Sequence, residues 1–150
     1  MPLKLPQRDE RGVVVPHDHD EILSSDQVIR RVSEQQIVFD PKIGGRRIAS
    51  LLFNPSMGAN GGLSVDLRRQ IEEDGVDPRK YVTDQRWPGS VYFTTGALRE
   101  NGFQVGYDPL PNNPYHGEIW GSYTQKSKKK LRQLCDWFVP IEGVVIGTSE

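Results

Sequence analysis

Three histidines, one cysteine and a scatter of acids and arginines are the groups through which this chain can do chemistry. The densest arrangement is Asp108-Pro-Leu-Pro-Asn-Asn-Pro-Tyr-His116-Gly-Glu118. Its prolines fix φ and lower the entropy cost of holding one loop shape. A strand expected over residues 115–120 places His116, Glu118 and Trp120 on one face, because side chains repeat every two residues. A histidine beside a carboxylate relays a proton or shares a metal, and a neighbouring indole desolvates the carboxylate. His116 and Glu118 are therefore the candidate catalytic pair. The simpler alternative has His116 bonded to a loop carbonyl and Glu118 in water.

Other residues qualify as ligand binders. The Gly-rich segment 54–62 leads into Ser64 and Asp66, and glycine lets a backbone approach a phosphate closely. It contains neither GxxxxGK[ST] nor GxGxxG, so no P-loop or dinucleotide fingerprint is present. Arg30-Arg31 and Arg46-Arg47, if extended, each send one guanidinium to either face of a sheet, where it can bind phosphate or carboxylate bidentately. The candidate ligand-binding residues are Arg30, Arg47, Asn60, Ser64 and Asn113. His17 and His19, with His116 and Glu118, form a metal-ligand set only if the N-terminal segment docks beside the strand. A solvated acidic linker is the simpler expectation there, and no metal or other cofactor is assigned.

The elements that must position these groups are short. Residues 1–21, rich in proline and charge, are expected to be poorly ordered, with Val13-Val14-Val15 as a possible edge strand. Residues 26–34 suit a short helix or a strand equally. Segments 36–40 and 46–53 read as a hairpin. Asp66 is placed to cap a helix over 67–74 that Gly75 closes, and Asp77-Pro78 starts one more turn. Strands are expected over 90–94, 103–107 and 115–120, with a short helix after Thr95. A final helix over 124–138 would align Leu131, Leu134, Cys135 and Phe138, leaving Lys126, Lys130 and Trp137 on the opposite side. The expected fold is a single α+β domain over 22–140 with a small, mostly antiparallel sheet, followed by a C-terminal tail, 141–150.

Composition bounds the class. The chain has 150 residues, 35% of them hydrophobic and 26% charged, and its single cysteine excludes an internal disulfide framework or Cys-rich zinc site. No run approaches the roughly 20 apolar residues of a membrane span, and the first residues contain no apolar leader-like stretch, so a cytoplasmic protein is expected. Lys126, Lys128, Lys129, Lys130 and Arg132 put +5 into seven residues, leaving −6 on the rest of a chain of net charge −1. Such a spot attracts anions locally.

Two resemblances follow from these residues. Arg47-Ile-Ala-Ser-Leu-Leu-Phe53, Gly62-Leu-Ser-Val-Asp66 and Asp108 through His116 resemble motifs of small bacterial proteins of no established activity, which implies a bacterial cytosolic chain without implying a mechanism. The order of an arginine (Arg30 or Arg31), a serine (Ser50 or Ser64) and Glu118 is similar to that in ADP-ribosyltransferases. The chain departs from that family in having no Ser-Thr-Ser run and no Glu-x-Glu.

Two functions are expected from the sequence. The first is an interaction module within a larger bacterial assembly. It would contact a protein partner, ahead of nucleic acid, through Lys126, Lys130 and Trp137. The second is a small enzyme or ligand-binding domain acting on a phosphorylated ligand such as a nucleotide, using His116 and Glu118.

Overall fold

The β-branched and aromatic segments of this chain pair into sheets wherever a partner strand is available, even where local pattern also allows a helix. The computed structural model describes residues 3–57 and 60–148; of the Gly-rich segment, Gly58 and Ala59 lie outside the described residues. In chain order the elements are β1 (Gln27–Val32), β2 (Ile37–Asp40), β3 (Gly45–Ile48), β4 (Leu63–Leu67), α1 (Arg68–Glu73), α2 (Pro78–Tyr81), β5 (Gly89–Thr94), α3 (Thr95–Glu100), β6 (Gln104–Tyr107), β7 (His116–Trp120), α4 (Gln125–Leu134), β8 (Asp136–Val139) and β9 (Val144–Val145). Two 3-10 turns, Glu34–Gln36 and Ser50–Phe53, flank the β2–β3 hairpin.

The main sheet has six antiparallel strands in the order β6-β7-β4-β1-β5-β8; β2, β3 and β9 form a second sheet. The fold is a single α+β domain, as the sequence predicts. Val28 and Val32 of β1 face the larger core with Leu63, Val65, Phe93, Val105 and Ile119, while Ile29 faces a smaller cluster with Val82 and Phe138. Each such fully buried side chain contributes about 1.5–3 kcal/mol of transfer free energy.

One open local expectation is settled and three are corrected. Segment 26–34 is a strand, because β1 pairs on one side with all six residues of β5 and on the other with β4. The strand expected over 46–53 ends at Ile48, and Ser50–Phe53 turns. Asp66 does not cap α1, whose N-cap is Leu67; it is buried in an ion pair with Arg31 instead. The final helix stops at Leu134. Cys135 is its extended C-cap, and Asp136, Trp137 and Val139 pair with β5 as part of β8. Burial on the core side of that helix end still holds: Cys135 is buried and Leu131 fully so.

The chain ends are packed too, against the expectation of a loose N-terminal segment and a separate tail. Leu3, Val14, His19 and Ile22 are buried, and Val144 of β9 joins the core. The reason lies at the open edge of β6. His19 N donates to Val105 O (2.9 Å), while Val105 N and Tyr107 N donate to Asp18 Oδ1 (3.0 Å) and His17 Nε2 (3.1 Å). A segment without strand structure thus satisfies an edge that would otherwise expose backbone donors.

Candidate functional site

The site is built where the central sheet opens. The β1–β4 ladder holds only two pairs, Val28–Leu67 and Ile29–Asp66. Beyond them Arg30 takes the place of backbone pairing: its Nη1 donates to Ser64 O (3.0 Å) and its Nε to Leu52 O (3.1 Å). The next ladder, β4–β7, sets Ser64 opposite Glu118 and Asp66 opposite His116. Period two then puts Arg31, Ser64, Asp66, His116 and Glu118 on one face. A cleft of about 260 Å³ lies there, lined by Arg30, Arg31, Ser64, Asp66, Trp87, Leu110, Asn113 and His116.

Glu118 lies behind this cleft, almost fully buried. Its Oε2 contacts His116 Nε2 at 3.0 Å and accepts from Ser64 Oγ at 3.2 Å, so it joins two groups that do line the cleft. Its Oε1 is buried with no hydrogen-bond partner. Gly62 makes this burial possible, since a Cβ there would collide with Glu118 Oε1 and Trp120 Nε1.

The proton on His116 can be placed by geometry. Nδ1 is 2.7 Å from the Asp108 carbonyl, which only accepts, so Nδ1 carries a hydrogen. The 3.0 Å contact from Nε2 to a carboxylate oxygen therefore needs a second proton between them. Burial alone would lower the His116 pKa. The bond to Glu118, its charge and the Asp108 contacts outweigh burial and raise the pKa above the ordinary value of 6.5. His116 and Glu118 hold a proton beside the cleft.

Arginines supply the positive charge. Burial pushes the Arg30 guanidinium down to about 10, against the opposing pull of Tyr123 and Glu118, and no carboxylate lies within ion-pair distance of it among the described residues. Arg31 donates from Nε to Asp66 Oδ2 (2.9 Å) and stacks over the Tyr81 ring. Asn113 ties the proline loop down: its Nδ2 donates to Asp66 Oδ1 (2.7 Å), and its Oδ1 accepts from Tyr81 Oη (2.7 Å).

Of the residues expected from sequence, Arg30, Ser64, Asn113 and His116 meet in the cleft, with Glu118 behind them. Asn60 stands further back, donating to Asp108 Oδ2 at 3.3 Å while its carbonyl accepts from Trp120 Nε1 at 3.0 Å. Arg47 is elsewhere. It pairs with Asp40 at 2.8 Å and lines a different, basic cavity. Lys126, Lys130 and Trp137 do not form one helical surface, because Trp137 is on β8 and packs half-buried against the core. Arg31, Val65, Asp66, Trp87 and Leu110 also line the cleft, although none was named as a ligand-binding residue. Arg31 carried a signal as the second member of the Arg30-Arg31 pair, Asp66 as the residue the Gly-rich segment leads to and Leu110 by its place in the proline-rich segment; Val65 and Trp87 carried none of their own.

The four-ligand metal set is not assembled. His17 Nδ1 donates to Val15 O and His19 Nε2 to Lys4 O, while their other ring nitrogens accept from backbone. Among the described residues, Asp108, His116 and Glu118 alone offer ligand atoms within 4.8 Å of one another. Asp108 contacts Nδ1 and Glu118 contacts Nε2, on opposite edges of the ring. With Nδ1 taken by the Asp108 carbonyl, Nε2 and the Glu118 carboxylate are the pair that shares a proton.

No family model, curated protein or solved structure matches this chain. No helix among the described residues is long and apolar enough to cross a membrane.

Proposed function

We propose that the protein is a small enzyme performing acid–base chemistry on a phosphorylated ligand, with a nucleotide as the best-fitting class. The observation that carries this reading is the Ser64–Glu118–His116 chain, which brings a hydroxyl and an imidazole to one cleft beside Arg30. Both nitrogens of His116 are engaged, so the group that exchanges a proton with the ligand is Ser64 Oγ, which donates to Glu118 Oε2 and lines the cleft. Glu118 receives or returns that proton and holds the ring. Arg30, positively charged and without a carboxylate partner, offers its charge to a phosphate.

A second cavity of about 690 Å³ adjoins the first, sharing Arg30 and Trp87 with it. Its size falls within the 300–1,000 Å³ common for small-molecule sites, and the half-buried Trp87 indole offers a stacking surface for a planar base. The ordering Arg30, Ser64, Glu118 on neighbouring strands is the part of the ADP-ribosyltransferase resemblance that this arrangement supports. The interaction-module reading keeps the exposed Lys126 and Lys130 of α4 but not Trp137 beside them, since Trp137 is on β8.

The test is a panel of nucleoside mono-, di- and triphosphates, ADP-ribose and NAD, scored by melting temperature and by turnover. A nucleotide should stabilise the wild type. His116→Ala and Glu118→Gln should abolish turnover while remaining folded. Failure of every nucleotide to bind, or full turnover in both variants, would overturn the proposal.

A further inference from the structure

A second positive site lies away from the His116 cleft, where β3, the Ser50–Phe53 turn and α4 meet. It is a cavity of about 160 Å³ lined by Arg47, Ser50, Gln125, Lys128, Lys129 and Arg132, with no acid in its lining. Arg132 is the anchor. It is 5% exposed, yet its partners are neutral: Nη1 donates to Ile48 O (2.8 Å) and Ile146 O (2.6 Å), Nη2 reaches Ser50 Oγ (3.4 Å), and Cζ lies 5.2 Å from the Phe53 ring centroid. No carboxylate pairs with it among the described residues. A buried cation held rigidly without a counter-charge is costly unless something supplies one.

The surroundings sharpen the imbalance. Arg47 Nη1 also donates to Ile48 O, at 3.0 Å, so two guanidinium groups converge on one carbonyl. Asp40 neutralises Arg47 alone. Burial and the neighbouring Arg47 both lower the Arg132 pKa, the mark of a cation short of negative charge. Lys128 and Lys129 have no ion-pair partner among the described residues, and the first turn of the ten-residue α4 contains no acid. Acids are the favoured residues at that helix end, where the dipole is positive. Local charge logic is broken here in one direction only, as happens where a site serves a ligand.

We infer that this cavity binds a phosphate group, with Arg132 and Arg47 as its rigid floor and Lys128 and Lys129 closing over it. Its volume is below the 300–1,000 Å³ range of pockets that enclose whole organic ligands, so it takes the phosphate and leaves any attached group outside. The shared chemistry covers free phosphate and a phosphomonoester alike. The site is distinct from the His116 cleft, and its occupancy does not depend on that cleft being catalytic.

Titration calorimetry with inorganic phosphate, and in parallel with glycerol phosphate, tests it on the full chain. Arg132→Gln removes the donor to the Ile48 and Ile146 carbonyls and endangers the fold, so the informative variant is Lys128→Gln with Lys129→Gln. Saturable phosphate binding should weaken by at least about tenfold in that double variant, with unchanged circular dichroism, and should be unaltered in His116→Ala. Equal binding of the two probes assigns the site to phosphomonoesters, and binding of inorganic phosphate alone assigns it to the free ion; both support it. Absence of saturable binding by either probe, or equal affinity in the double variant, overturns it. Phosphate affinity lost in His116→Ala would also overturn it, placing the phosphate in the other cleft.

Discussion

Glu118 touches His116 and Ser64 with the same carboxylate oxygen, at 3.0 and 3.2 Å, while its second oxygen is buried without a partner. Both partners reach the cleft and Glu118 does not line it. A change at Glu118 therefore acts on ligand chemistry through the two groups it holds. In Glu118→Gln the raising influences of its bond and charge disappear while burial and the Asp108 contacts remain, and His116 should titrate below its wild-type value. An NMR titration of the His116 ring reads this directly; an unshifted titration would show that Glu118 does not set the proton.

Stability should depend on pH through the same pair. The His116 pKa is raised above 6.5 in the folded state. A raised folded pKa gives stability that is fully present below the unfolded value and is lost as pH rises through the folded value. Chemical denaturation should therefore show falling stability as pH climbs from about 6.5 towards the raised value. His116→Gln should flatten that part of the profile; an equally steep profile in the variant would assign the loss to other groups.

Gly62→Ala should damage the site from the back. The added Cβ collides with Glu118 Oε1 and Trp120 Nε1, neither of which can move far inside packed surroundings. Overpacking of this kind costs about 1–3 kcal/mol. A melting temperature equal to that of wild type would mean that the loop yields.

Removing residues 1–20 should destabilise the whole domain. Leu3, Val14 and His19 leave buried positions, and the edge of β6 loses the acceptors at Asp18 and His17. Two buried aliphatic side chains alone account for about 3–6 kcal/mol. A truncated chain as stable as the full one would show that the segment packs without contributing.

Cys135 should be inert in the native protein. It is buried, and burial pushes its thiol up to about 12. A thiol reagent near neutral pH should label it slowly until denaturant is added. Rapid native labelling would place this end of α4 in solvent.

The sequence by itself determined the class of fold, most strands and the strongest functional segment, because these depend on short-range pattern. Alternation along residues 116–120 was enough to set His116 and Glu118 on one face, and Asp77-Pro78 was enough to start α2 with its cap. What needed tertiary structure was every choice between two locally acceptable states. Gln27–Val32 became a strand because β4 and β5 both offered backbone partners, and Trp137 left the basic helix because β5 had an open edge. Asp66 was available as a helix cap, but the half-buried Arg31 guanidinium competed for it and won. His17 and His19 looked like ligands, but the His17 ring accepts from Tyr107 N on the edge of β6 and the His19 ring from Glu21 N of its own segment. The cleft itself was beyond local reading. It exists because the β1–β4 ladder ends after two pairs and Arg30 fills the gap, a consequence of strand order that no spacing in the sequence encodes.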